Sequence, residues 1–262
     1  MAIGAKADRL SETGVESREF VSATGWTSRE GLSYWSRNEN TGLKRHHLHF
    51  WAISDPLERV VLRIAPTHPG EGISGVLRFF NANGTVGSEC QLVIKAGQMA
   101  QIPLNALLAN CATDSGFRHS HLELETAEEC TGELEFSSRT RSSFFSSLHR
   151  VVDREPRAFP VVVSPSYRHV LALVNPNDVQ ASLKCRMYLG SRTPEEACLL
   201  PPRSTVLLSP EVLFQRVISE VAPEGEIQAY VRLTTRSPKP LGFQVLEERI
   251  FESGERAYGV VS

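Results

Sequence analysis

Two histidine pairs, His47-x-His49 and His119-x-His121, have the spacing in this chain that comes nearest to a ligand set. On a β-strand, side chains two apart share a face, so each pair offers two neutral imidazoles to one metal ion. A metal-dependent enzyme built on His47, His49, His119 and His121 requires the two strands to converge. A strand histidine is more often an ordinary packed side chain, and H-x-H alone is a weak signature.

Carboxylates form a second group. The segment Leu122–Phe136 carries Glu123, Glu125, Glu128, Glu129, Glu133 and Glu135 with no lysine or arginine. Read as a half-buried hairpin, it places Glu123, Glu125, Glu133 and Glu135 on one acidic face. Like charges across an antiparallel pair repel by a few tenths of a kcal/mol each, roughly. Arg139 and Arg141, which follow at once, are the nearest compensating cations, and a bound Ca²⁺ or a basic partner is the sharper reading. A glycosidase pair ~5–9.5 Å apart needs a cleft, which the outside of a hairpin does not supply. Trp26, Tyr34, Trp35 and Trp51 form a third group, a candidate aromatic platform for a sugar. The chain contains no G-x-S-x-G, H-E-x-x-H, Walker loop or dinucleotide fingerprint.

The elements that must position these groups repeat. Ile53-Ser-Asp-Pro-Leu-Glu-Arg-Val-Val-Leu-Arg-Ile-Ala-Pro66 aligns without a gap on Val163-Ser-Pro-Ser-Tyr-Arg-His-Val-Leu-Ala-Leu-Val-Asn-Pro176, offset by 110. Leu77-Arg-Phe-Phe80 then meets Cys185-Arg-Met-Tyr188, and Lys95–Leu108 meets Pro201–Phe214. Leu122, Leu124, Leu134 and Phe136 meet Val231, Leu233, Phe243 and Val245. The length differences fall where Gly, Pro and polar residues cluster, as expected of loops. At the histidine positions the second copy has Arg157, Phe159, Gln228 and Tyr230, so any metal site belongs to the first copy alone.

Short alternating stretches such as Val60–Ala65 and Leu122–Thr126 predict strands. Asn81-Ala-Asn-Gly84 predicts a turn, and Leu104–Leu108 and Glu211–Val217 predict helical turns. Six or seven strands per ~100 residues point to an all-β chain of two tandem, internally duplicated β-sandwich domains. The expected parts are a polar arm (1–45) with one short helix and one strand, copy 1 (46–136), a Ser/Arg-rich linker (137–157), copy 2 (158–250) and a tail (251–262). The first core is expected to hold Val60, Leu62, Ile64, Leu77, Phe79, Leu122, Leu124, Leu134 and Phe136. The second is expected to hold Val170, Ala172, Val174, Cys185, Met187, Val231, Leu233, Phe243 and Val245.

The order of features resembles a bacterial immunoglobulin-like β-sandwich module that often occurs in tandem. Val170-Leu-Ala-Leu-Val-Asn-Pro176, Val76-Leu-Arg-Phe-Phe-Asn-Ala-Asn-Gly84, Lys95-Ala-Gly97, Leu104–Leu108 and the closing hairpins carry the resemblance. It implies a structural, adhesive or sugar-binding unit with no fixed active-site residues. Function is not set by fold analogy alone.

In 262 residues, 28 basic side chains face 30 acidic ones, for a net charge of −2. That balance excludes the generic electrostatic case for nucleic acid, although a local patch is still open. No apolar run reaches the ~20 residues of a membrane helix. Cys90, Cys111, Cys130, Cys185 and Cys198 have neither zinc nor disulfide spacing. The first residues lack a signal-peptide core, so the expectation is a cytoplasmic protein, or a surface or secreted one if a leader has been trimmed. The sequence therefore predicts a non-enzymatic binding or assembly protein, with a protein partner or self-association and no cofactor. A carbohydrate-binding module and a metal-dependent enzyme are the alternatives.

Overall fold

The protein is seen in a computed structural model. It describes the backbone and side chains of residues 44–54, 59–109, 111, 118–137, 152, 156–221, 226–254 and 256–259, and the backbone of 16–19, 33–37, 113–114, 117, 142–146, 150–151 and 260. Trp26, Arg139 and Arg141 lie outside the described residues, and Tyr34 and Trp35 are described by backbone alone. The chain is all-β, in four antiparallel sheets with short helices, and it divides into two compact units, Met1–His149 and Arg150–Ser262.

In the first unit the strands are β1 (Glu16–Glu19), β2 (Ser33–Arg37), β3 (Lys44–Ile53), β4 (Arg59–Pro66), β5 (Ile73–Phe80), β6 (Val86–Ile94) and β7 (Gln98–Pro103). Helix α1 (Asn105–Leu108), β8 (Thr113–Asp114), β9 (Phe117–Thr126), β10 (Cys130–Ser137) and β11 (Ser142–Ser146) follow. One sheet has the order β1-β7-β4-β10-β11 and the other β2-β3-β9-β5-β6, with β8 beside β9. Their inner rows face each other. A Cβ on Gly132 of β10 would lie 2.3 Å from the ring of Phe50 in β3, in the other sheet, so only glycine leaves room for that ring. All nine residues expected in this core are buried.

The second unit comprises β12 (Arg150–Val152), β13 (Arg157–Val163), β14 (Tyr167–Val174), β15 (Ala181–Tyr188), β16 (Glu195–Leu200) and β17 (Thr205–Leu208). After these come α2 (Pro210–Leu213), α3 (Gln215–Val221), β18 (Ile227–Thr235), β19 (Leu241–Ile250) and β20 (Arg256–Val260). Its sheets run β12-β19-β14-β17, with β20 also on β19, and β13-β18-β15-β16. Phe159, Leu183, Cys185, Met187, Val231 and Leu233 from one sheet pack with Leu171, Leu173, Phe243 and Val245 from the other. The order β7-β4-β10 in unit 1 matches β17-β14-β19 in unit 2, and β3-β9-β5-β6 matches β13-β18-β15-β16.

Local chemistry explains the connections. The Asn81–Gly84 turn joins β5 to β6 with Gly84 at φ 87°, where a Cβ is costly. Asn81 N–H donates to Thr85 O at 2.9 Å and closes it. Helix α2 starts at Ser209, whose hydroxyl accepts from Val212 N–H, with Pro210 at the first turn. Asn175, fully buried, donates its side-chain amide to the carbonyls of Val179, Leu200 and Pro201 and ties the 175–179 loop to the end of β16.

Several expectations are corrected. Leu122–Phe136 is not a hairpin: β9 pairs with β3 and β5, whereas β10 pairs with β4 and β11 in the other sheet. Strands β18 and β19 are likewise split between sheets. Each strand keeps its alternation, but the short connections, residues 127–129 in unit 1 and 236–240 in unit 2, carry the chain from one sheet to the other. In β14 the inner row is Leu171 and Leu173. Ala172 and Val174 are buried outside that core and Val170 is only half-buried, because a one-residue slip moves every side chain to the other face. The stretch 137–157 is not a plain linker, since β11 joins β10 in unit 1 and β12 joins β19 in unit 2. The arm holds two strands among its described residues, β1 on β7 and β2 on β3, and the tail supplies β20.

Leu124→Ala and Leu233→Ala are each expected to cost about 2–5 kcal/mol, the usual loss for emptying a buried leucine site. Native-state hydrogen exchange should show the lost protection in the strands of the mutated residue's own unit.

Candidate functional site

Strands β3 and β9 carry the four histidines on one face of one sheet. Their register sets His49 opposite Glu123 and Trp51 opposite His121, so the contacts run diagonally. His49 Nδ1 and His121 Nε2 lie 2.9 Å apart with stacked rings, His47 Nδ1 meets Glu123 Oε1 at 2.9 Å, and Trp51 Nε1–H donates to His119 Nδ1 at 3.4 Å. All four histidines are buried. The strands therefore bring the two pairs together, as a hydrogen-bonded row. A bond between the two rings leaves one nitrogen donating and the other accepting, and those two atoms cannot both point lone pairs at one ion. Among the described residues, no group of three or more His, Cys, Asp or Glu side chains is placed to hold a metal ion.

The four candidate glutamates fall on two sheets. Glu125 accepts from Arg78 at 2.7 Å, and Arg45 stands 3.9 Å away. Glu123 takes His47 and lies 3.9 Å from Arg78. On the other sheet, Arg63 donates to Glu135 at 2.5 Å. The compensating cations are thus cross-strand neighbours, which local sequence could not reveal. Burial pushes the Glu133 carboxyl up, with Arg63 opposing and Glu135 adding to the rise.

Trp51 does not contribute to an exposed aromatic platform: its side chain is buried beside His119. The cysteines are free thiols. Burial raises Cys90 and Cys130 to about 11 and Cys185 to about 12, which keeps them neutral and poorly nucleophilic at neutral pH. His46 and Cys130 approach to 3.9 Å, but burial lowers the histidine while it raises the thiol, the reverse of an activated pair.

An open polar face lies in unit 2, on the sheet β13-β18-β15-β16. Strand β15 alternates Leu183, Cys185 and Met187 inward with Ser182, Lys184, Arg186 and Tyr188 outward. Strand β18 turns Val231 and Leu233 inward, with Tyr230, Arg232 and Thr234 outward. Arg186 stands opposite Arg232 and Tyr188 opposite Tyr230, which is 56% exposed. Glu195 of β16 is held by Lys184 at 2.7 Å and by Arg186 Nε at 2.9 Å, and these bonds draw its carboxyl below the usual range. Arg232 donates to the Tyr188 hydroxyl at 3.3 Å, and with Arg186 it draws that phenol down. The face encloses a depression of about 450 Å³ lined by Lys184, Arg186, Glu195, Arg232, Thr234 and Arg236, among others. The sequence reading missed it, although the period-two spacing of Ser182, Lys184, Arg186 and Tyr188 is a usable signal.

No protein-family model matches the chain, and no curated protein is similar to it. No helix among the described residues is long and apolar enough to cross a membrane.

Two outcomes test this electrostatic description. A carboxyl raised in the folded state stabilises below its unfolded pKa and loses that contribution as pH rises through the folded value. Glu133→Gln should therefore raise the urea midpoint at pH 7, with the difference from the parent shrinking as the pH falls through the raised folded value and vanishing below about 4, the ordinary carboxylate range. Separately, alkylation at pH 8 followed by mass spectrometry should find Cys185 unmodified in the native protein and modified once urea unfolds it.

Proposed function

We propose that the chain is a non-enzymatic binding protein of two internally duplicated β-sandwich modules, and that it binds a negatively charged partner through the open sheet face of unit 2. The duplication is supported by the shared strand order and by equivalent cross-strand pairs. Leu77 pairs with Leu124 as Cys185 pairs with Leu233, and Val60 pairs with Phe136 as Leu171 pairs with Val245. These pairs place Val60 over Leu171, one residue from the ungapped sequence match.

The observation that carries the binding reading is a contrast between equivalent faces. In unit 1, on the strands that correspond to β18 and β15, His121 and Glu123 of β9 are buried and Arg78 of β5 is half-buried. In unit 2 the outer residues of β15 and β18 stay accessible, with Arg186 44% and Lys184 50% exposed. Lys184, Arg186, Arg232 and Arg236 face one carboxylate, Glu195, so the depression has three cations in excess. A concentrated positive field on a concave surface raises the local concentration of anionic partners and steers them in, even on a chain of net charge −2.

A sulfated-polymer column such as heparin supplies a generic polyanion to test the face. The full-length protein should be retained and elute with salt, whereas Lys184→Glu with Arg232→Glu should pass through. Arg216→Glu, in α3 and 92% exposed, is the matched control and should lower the elution salt only slightly. Equal retention of the double variant and the parent would sink the reading.

A further inference from the structure

Resting on the open-face reading, we infer that the depression between β15, β16 and β18 is a binding site for a tetrahedral oxyanion group, a phosphate or sulfate carried on a larger ligand. The cations there are not equivalent. Lys184 and Arg186 are committed to Glu195, which occupies both of its carboxylate oxygens. Arg232 and Arg236 have no carboxylate partner among the described residues. Arg232 is instead tethered through Nη1 to the Tyr188 hydroxyl, a neutral anchor that fixes the guanidinium while leaving its charge uncompensated. A planar guanidinium held in this way is suited to the two-pronged recognition of an oxyanion.

The hydroxyls around these arginines fit the same ligand. Ser182 and Thr234 line the depression with Arg232 and Arg236. The Thr235 hydroxyl donates to Ser182 O at 2.7 Å and accepts from Ser237 N–H at 3.0 Å, so it acts as a strut for the rim. Every lining side chain carries a hydrogen-bonding group, most of them on aliphatic stems, and the one carboxylate has its charge already answered. A purely apolar ligand would strand these groups without water or partners. The volume, about 450 Å³, falls within the ~300–1,000 Å³ range of small-ligand pockets and accommodates the atoms next to the anionic group.

Glu195 has a consequence that can be measured. It holds Lys184 and Arg186 through both carboxylate oxygens, so its neutralisation releases two more donors to the anion. Loss of the carboxylate should tighten binding, the opposite of what removing a purely structural ion pair would do.

The test is calorimetric titration of the full-length protein at fixed ionic strength, in chloride, with sodium phosphate in one arm, sodium sulfate in a second and sodium acetate in a third. Saturable one-to-one binding of phosphate or sulfate, with acetate at least tenfold weaker, is expected. The stronger of the first two arms identifies the ester the site takes. Arg232→Gln and Arg236→Gln should each weaken binding about tenfold, or ~1.4 kcal/mol. Arg232→Lys, which keeps the charge and loses the fork, should fall between, and Glu195→Gln should tighten binding severalfold. Arg216→Gln should leave it unchanged. Absence of saturable binding in both oxyanion arms, or an equal loss in Arg216→Gln and Arg232→Gln, would overturn the site. If heparin retention still depended on Lys184 and Arg232 in that case, the open face would stand and only the oxyanion pocket would fall. If retention did not depend on them, the open-face reading would fall as well.

Discussion

The structure depends on the way the chain repeatedly leaves one sheet for the other. Each unit closes its core by setting two sheets face to face, and a segment such as 126–130 in unit 1 must carry the backbone across that thickness. The crossing exposes backbone polar groups where neither sheet can pair them. Side chains and neighbouring strands answer that need: Thr126 Oγ1 donates to Glu128 O at 2.7 Å, Thr67 N–H to Glu129 O and Ala127 N–H to Ser74 O. In unit 2, Asn175 meets the same demand with three carbonyls on one amide. Once the crossings are fixed, the parity of every strand is fixed with them, and the apolar rows have only one way to face.

That division explains how two units of one strand order can present different surfaces. Inner rows are constrained by volume: Gly132 yields to Phe50, and any side chain there collides with the ring. Outer rows answer to a different requirement, that each charge be hydrated or paired. In unit 1 much of the outer row of β3 and β9 is buried, and its carboxylates pair with Arg45, Arg78 and His47 across strands. In unit 2 the corresponding face meets solvent, and cations can stand there without a full complement of carboxylates because water screens them.

How much of this was legible follows from the same distinction. The all-β class, the strands around 60–65, 76–80, 122–126 and 133–136, the Asn81–Gly84 turn and helical turns overlapping 104–108 and 211–217 follow from local spacing and turn chemistry. All nine first-core residues were recoverable because a period of two identifies a face. The partner strand was not recoverable. Leu122–Thr126 and Glu133–Phe136 look like hairpin arms because alternation reports a strand's faces and says nothing of which sheet it joins. The slip at Val170 has a related cause: β14 is apolar on both faces, so alternation could not choose between Leu171 and Val170. The histidine row was visible as two H-x-H pairs, and their adjacency needed the β3–β9 register. Glu195 lies far in sequence from Arg232, and only pairing through β15 brings them to one depression.

The cation-rich face and the buried histidine row are two answers to one problem, that of placing polar side chains on the outside of a sheet whose inside is committed to packing. In unit 1 the polar groups pair with one another across strands: a ring nitrogen accepts from an indole, two imidazoles share a hydrogen bond, and a carboxylate takes an imidazole. Such a network is stable when complete and costly to interrupt, because each group left unpaired in a buried setting loses its hydration without a replacement. It is therefore poorly suited to exchange partners with a passing ligand. On the open face of unit 2, Glu195 is paired twice over, while Arg232 rests on a neutral phenol. Water covers the difference there, and water is readily displaced by an anion that pairs the same donors. The proposed binding face thus lies where cations outnumber the carboxylate they surround, whereas the histidine row makes its contacts within its own sheet.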